Sequence, residues 1–162
     1  MSDKISTLVN LISPKIGSYG VYANDEFFAP LERMLSETDP IFIPDKYDNH
    51  GKWMDGWETR RRRTPGYDWC LIKLGCPGTV KKIEINTKFF TGNYPPYAEI
   101  EGIYSDEEPG ENDENWKTIL NKKSIKGDAV NNFNAENENV FNWVKLKIFP
   151  DGGVARLRLW GN

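Results

Sequence analysis

Acids, arginines and tryptophans crowd together between Lys52 and Trp69, in the string Trp53-Met54-Asp55-Gly56-Trp57-Glu58-Thr59-Arg60-Arg61-Arg62-Arg63 followed by Tyr67-Asp68-Trp69. A guanidinium is a planar fork that holds a carboxylate through two hydrogen bonds, and a carboxyl group nearby can carry a proton once burial raises its pKa. Drawn as an extended chain, the segment sends Glu58, Arg60 and Arg62 to one side and Trp57, Thr59, Arg61 and Arg63 to the other, so no orientation exposes every arginine equally. Two readings stay open: an anion clamp beside a proton-transferring acid, or a solvated basic strand paired with the acidic stretch further along. A second candidate is Lys88-Phe89-Phe90-Thr91-Gly92-Asn93-Tyr94-Pro95-Pro96-Tyr97, in which rings and prolines stiffen a Gly-Asn turn. The Asn93 amide both donates and accepts, which suits a ureido or amide ligand, although an asparagine after glycine is also an ordinary left-handed turn residue.

Other kinds of chemistry are poorly supplied. The single histidine, His50, sits between Asn49 and Gly51 and reads as a loop residue, and Cys70 and Cys76 have no histidine nearby in sequence to generate a thiolate. Two thiols and one imidazole do not make a four-ligand zinc site, and the remaining carboxylates would suit only a hard or borderline cation, so neither a metal nor a cofactor is expected. With 21 Lys and Arg against 24 Asp and Glu the net charge is -3, so no molecule-wide basic field draws nucleic acid or an anionic membrane. Polar residues interrupt every apolar run near the N-terminus, and no later stretch reaches bilayer length. A cytoplasmic, reducing location is the expectation.

These groups must be positioned by a scaffold, and 162 residues allow one domain with one core. Phe27, Phe28, Leu31, Met34 and Leu35 fall at helical spacing after Asp25, a candidate N-cap, and Asp39-Pro40 ends the run. From Trp69 onward the pattern is short and alternating: 69–74, 80–86, 98–104, 116–120, 144–149 and 154–160 read as strands. Val144–Ile148 and Ala155–Leu159 alternate apolar residues with cations on either side of Pro150-Asp151-Gly152-Gly153, which predicts a hairpin with one buried and one wet face. The stretch Glu99–Glu114, with eight carboxylates and no base, and the asparagine-rich stretch around 131–139 both read as exposed loops. The fold class is therefore all-β, a β-sandwich or jelly roll with one short N-terminal helix.

The arginine string resembles that of the allantoicase family, and further blocks resemble it in the expected order. They are Gly20-Val21 with Asn24–Ala29, Asp68–Gly75, Phe89–Pro96 and Ile148–Leu159, covering nearly the whole chain. The resemblance implies a galactose-binding-like jelly roll. It also implies hydrolysis of allantoate to ureidoglycolate and urea, an amidine-type cleavage of a linear C–N bond in purine degradation. On that reading Arg60, Arg61 or Arg63 clamps the substrate carboxylate beside Trp57, Glu58 performs the acid/base work with Asp68 or Glu26 as partner, and Asn93 binds a ureido group. Tyr67, Asn86 and Trp143 depart from the family pattern. The alternatives are a hydrolase of another ureido or guanidino acid and a non-catalytic module that binds a small molecule or carbohydrate. Because the family usually carries two repeats and this chain has room for one, residues 1–162 are expected to form a single repeat that self-associates into a homo-oligomer.

Overall fold

Apolar side chains that recur at every second position can be buried only by strands, and the computed structural model, which describes residues 7–162, builds its core that way. Residues 1–6, part of the stretch read as lacking a secretory signal, lie outside the described residues. In chain order the elements begin with β1 (Val9–Asn10), β2 (Tyr19–Ala23), the short helix α1 (Leu31–Met34) and the two-residue strands β3 (Tyr47–Asp48), β4 (Gly51–Lys52) and β5 (Trp57–Glu58). They continue with β6 (Asp68–Gly78), β7 (Val80–Asn86), β8 (Tyr97–Ile103), β9 (Lys117–Ser124), β10 (Val130–Asn134), β11 (Phe141–Phe149), β12 (Gly153–Val154) and β13 (Arg156–Gly161). A four-stranded sheet in the order β1-β13-β7-β10 faces a five-stranded sheet in the order β2-β6-β11-β8-β9. Every pairing in the two sheets is antiparallel.

Ile83, Ile85, Leu157 and Leu159 from the first sheet meet Ile72, Leu74, Val144, Leu146, Ile148 and Ile100 from the second in one buried cluster. Each such side chain contributes about 1.5–3 kcal/mol on burial. This two-sheet sandwich agrees with the fold class expected from the alternation.

The predicted helix is shorter than its apolar spacing suggests. Pro30 has extended backbone and stands where the N-cap belongs, and a proline pushes the residue before it away from helical angles. Ala29 accordingly bridges Glu58 across a strand-like contact. Asp25, expected as the cap, instead accepts the Phe27 N–H and holds the Arg60 side chain.

The predicted hairpin is not formed. β11 pairs with β6 and β8, whereas β13 pairs with β1 and β7, so the turn at 150–152 carries the chain from one sheet to the other. Nor is the cationic face wet, because Lys145, Arg156 and Arg158 are all buried. Alternation identifies which side chains share a face; it does not name the neighbouring strand or say what covers the second face. The asparagine stretch departs from its loop reading as well, since residues 130–134 form the edge strand β10 along β7. Part of the acidic stretch likewise belongs to β8, where Glu99 and Glu101 pair with Lys147.

Candidate active site

Strand register gathers several loops at one end of the sandwich. Asn86 lies opposite Val130 and Arg156, and Tyr97 lies opposite Ser124 and Phe149, so the loops after β7, β9 and β11 emerge side by side. The loop after β11 then stitches the others together. Gly153 and Val154 pair with Glu58 and Trp57, Gly152 accepts the Thr59 N–H at 3.0 Å, and the Gly153 N–H donates to the Asn93 carbonyl at 2.7 Å. Only glycine fits at 153, where a Cβ would stand 2.0 Å from the Phe90 ring.

These loops enclose a cavity of about 490 Å³ lined by Phe28, Phe42, Lys52, Met54, Glu58, Lys88, Phe89, Thr91, Asn93 and Asp128. Its apolar lining is Phe28, Phe42, Met54 and Phe89, and behind it Met54 is buried with Phe90 and Ala155 against Phe42 and Tyr94. Glu58 is 8% exposed, and its Oε2 accepts a hydrogen bond from the Asn93 Nδ2 at 2.8 Å. Burial pushes the Glu58 carboxyl above its ordinary value, and the Asn93 hydrogen bond opposes that shift without cancelling it. Two ammonium groups share the wall: Lys52 Nζ stands 4.8 Å from the Phe42 ring centre, and Lys88 Nζ stands 5.8 Å from that of Phe89. The Phe42 and Phe89 rings stack at 5.9 Å. A protonatable carboxyl, an amide and two cations around an apolar lining can bind a small carboxylate and pass a proton to or from it.

The residues singled out from the sequence do not all meet there. Glu58 and Asn93 are brought into contact; the others lie elsewhere. Asp68 is buried, with its Oδ1 accepting from Arg62 at 2.9 Å and from the Asn24 amide at 3.0 Å. Glu26 accepts the Leu31 N–H at the start of α1, at 2.7 Å. Trp57 is fully buried in the main core, its indole N–H donating to the Asp25 carbonyl. Arg60 pairs with Asp25 at 3.2 Å and lies over Phe27. Arg61 and Arg63 are exposed without a side-chain partner among the described residues, and with Arg62 they line a separate concavity of about 330 Å³. The cavity cations are thus Lys52 and Lys88. Each opens a segment that drew attention for other reasons, but arginine's fork made the neighbouring run the more obvious anion clamp. Asp128 had no local motif to mark it.

Of the three positions expected to depart from the family pattern, Asn86 touches the cavity wall, where its Oδ1 accepts the Lys88 N–H at 2.9 Å. Tyr67 donates to Glu111, and Trp143 donates to the Ser105 carbonyl on the outer face of the five-stranded sheet. His50 is exposed, in contact with the Phe27 carbonyl, and neither it nor either cysteine lines the cavity. Cys70 is buried, which pushes its thiol far up, while Cys76 is exposed. Among the described residues no three of His, Cys, Asp and Glu gather closely enough to hold a metal ion, and no helix is long and apolar enough to cross a membrane.

Two antiparallel sheets with a ligand-sized cavity among the loops at one end define a jelly roll of the galactose-binding-like class. The chain superposes on the family 32 carbohydrate-binding module of C. perfringens NanJ in complex with galactose with a TM-score of 0.64 over 93% of this chain and 98% of that one, a likeness of fold alone at 12% identity. A narrower match follows: the Allantoicase repeat model covers residues 9–162, and the chain belongs to the allantoicase family. It is 46% identical over 153 residues to "Probable allantoicase 1" of Burkholderia mallei, covering 94% of this chain and 45% of that one. It is 47% identical over 160 residues to "Probable allantoicase" of Acinetobacter baylyi, covering 98% and 47%. The allantoicase crystal structure from Saccharomyces cerevisiae superposes with a TM-score of 0.83 at 38% identity, over 96% of this chain and 48% of that one. The chain therefore spans about half the length of the curated relatives it matches.

Proposed function

We propose that this chain is the catalytic unit of an allantoate hydrolase, an enzyme that releases urea and leaves ureidoglycolate in purine degradation. The observation that carries the reading is the buried Glu58 carboxyl, held by Asn93 in a cavity whose two cations are lysines. Allantoate is a monocarboxylate whose tetrahedral α-carbon bears two ureido groups, so urea leaves by breaking a C–N bond at that carbon. Lys52 and Lys88 bind the carboxylate, and the Asn93 amide accepts from or donates to a ureido group. Glu58, whose carboxyl burial makes easier to protonate, gives its proton to the departing urea nitrogen as the C–N bond breaks. The lone pair of the remaining ureido nitrogen stabilises the iminium-like carbon. Glu58, now a carboxylate, takes a proton from the water that adds there, which restores the acid and completes the balance. One carboxyl serves in both halves, and neither Asp68 nor Glu26 is required.

The same cavity favours this reading over its rivals. A guanidino acid would bring a cation against Lys52 and Lys88, and a neutral sugar would make no use of two ammonium groups. We place the protein in a reducing, cytoplasmic setting, which its free thiols suit, and expect the repeat to act alongside a second repeat of its kind, in a homo-oligomer. Sedimentation at micromolar concentration tests the association; a stable monomer overturns it. The test of function is urea release from allantoate by the wild type and by Glu58→Gln. The wild type turns over, and the variant loses roughly 10²–10⁴-fold in kcat, the usual size of a general acid–base contribution. Retention of kcat within about twofold removes Glu58 from this role.

A further inference from the structure

Two non-glycine residues on the cavity wall have left-handed backbone, Phe89 at φ 72° and Asp128 at φ 48°. For an aromatic residue this region is an outlier, and such residues persist only where the surroundings over-determine them. Here the two residues hold each other. The Phe89 N–H donates to Asp128 Oδ1 at 2.9 Å, and the Asp128 N–H returns a bond to the Phe90 carbonyl at 3.1 Å. Around them Lys88 N–H bonds Asn86 Oδ1, Phe90 N–H bonds the Thr87 carbonyl, and the Thr87 hydroxyl donates to the Lys126 carbonyl. Gly127 completes the lacing, since a Cβ there would stand 2.2 Å from the Tyr94 ring. The same Asp128 Oδ1 that holds the Phe89 N–H lies 3.4 Å from Lys88 Nζ.

We propose that Asp128 is a positioning and specificity residue of the cavity: its carboxylate fixes the Lys88–Phe89 turn and offsets one lysine charge, so that the site selects monocarboxylates over dicarboxylates. The proposal rests on the reading of the cavity as a carboxylate site. With Glu58 protonated, as the proposed mechanism requires, Asp128 against Lys52 and Lys88 leaves a single net positive charge on the wall. A bound monoanion neutralises that charge, whereas a dianion overshoots it. The turn also sets where the Phe89 ring meets Phe42, so backbone and charge selection share one side chain. The hydrogen bond from the Phe89 N–H keeps the Asp128 carboxyl below its ordinary value and therefore ionised at neutral pH.

Two substitutions separate the roles. Asp128→Asn keeps an oxygen acceptor and a residue that tolerates left-handed backbone, but removes the charge. Asp128→Ala removes both. The probes are N-carbamoylglycine, a ureido monocarboxylate, and N-carbamoylaspartate, a ureido dicarboxylate. Binding is read from NMR shifts of the Phe89 backbone amide and the Asn93 side-chain amide, with no turnover needed. The wild type prefers the monocarboxylate. In Asp128→Asn the ratio of the two dissociation constants moves toward the dicarboxylate by roughly fivefold, as one charge about 4 Å away in near-bulk dielectric predicts, and the free-state Phe89 amide signal keeps its position. In Asp128→Ala that signal moves and both probes bind more weakly. The proposal is overturned if the ratio in Asp128→Asn stays within about twofold of wild type, if the two variants behave alike, or if the wild type binds neither probe. Urea release from allantoate is measured separately: selectivity that switches without turnover sinks the functional reading and spares this one, and turnover with unchanged selectivity does the reverse.

Discussion

Lys145, Lys147, Arg156 and Arg158 lie on strands, and Lys52 and Lys88 lie on the cavity wall; the fold surrounds the two groups in opposite ways. Arg156, 1% exposed, donates to the carbonyls of Thr38, Arg33, Asp55 and Ala155 and pairs with Asp55 at 2.8 Å. Arg158 meets its direct cross-strand partner Glu84 at 2.7 Å. Lys145 and Lys147 share Glu101, and Lys145 also reaches the Glu111 carbonyl at 2.6 Å. Desolvation lowers the Lys145 ammonium despite its acidic neighbours, while for Lys147 those neighbours outweigh desolvation and raise it. At the cavity Lys88 has one half-exposed acid, and Lys52 has a ring. Cations that are fully paired inside the protein hold elements in place. Cations left facing rings and solvent have capacity to spare for a ligand.

That contrast is most severely tested at Glu58. Glu58→Gln lowers kcat on allantoate by roughly 10²–10⁴-fold while the protein stays folded; a loss of folding instead would make Glu58 part of the scaffold. Next in size is Arg156→Leu, which removes the ion pair with the Asp55 carboxylate and the donors to four carbonyls. Removing one partner of a buried pair costs about 3–5 kcal/mol, read as a shift in the guanidinium unfolding midpoint. A cost under about 1 kcal/mol would put this arginine with the surface pairs. Lys88→Ala and Lys52→Ala should raise KM by about tenfold or more, since a hydrogen bond to a charged group contributes about 1.5–3 kcal/mol, and should leave stability within about 0.5 kcal/mol. The smallest effect concerns pH. Burial raises the folded Glu58 pKa, so its contribution to stability is present below the unfolded value and is lost as pH rises through the folded one. Glu58→Gln removes that loss, so its Tm exceeds that of wild type at pH 8, and the gap closes below about pH 4.3. Calorimetry across that range checks the sign.

Much of the fold was legible because burial on one face leaves a period-two trace, and 69–74, 80–86 and 144–149 fall inside observed strands. The partner of each strand was not legible. Val144–Ile148 and Ala155–Leu159 share a pattern because both line the same core, one from each sheet, and a turn sequence between them reads the same whether the chain folds back or crosses over. The candidate site was half legible. Glu58 and Asn93 were singled out as a carboxyl and an amide in aromatic surroundings, and they meet. The arginines drew attention by number, yet two of them are tied down by Asp25 and Asp68 and none lines the Glu58 cavity. Lys52 and Asp128 gain their meaning only from loops converging out of distant parts of the chain.

The crossover after β11 has a kinetic corollary. Thr59 and Gly152, 93 positions apart, exchange hydrogen bonds in the segment that also ties Asn93 beneath Glu58. Closing so long a loop is slow compared with pairing strands that are near in sequence, such as β8 with β9. A nascent or partly refolded chain therefore has its sequence-near strand pairs, such as β8 with β9, before it has the Glu58 cavity. Recovery of urea release during refolding should lag behind recovery of β-sheet circular dichroism, making turnover a clock for the last stitch of the sandwich.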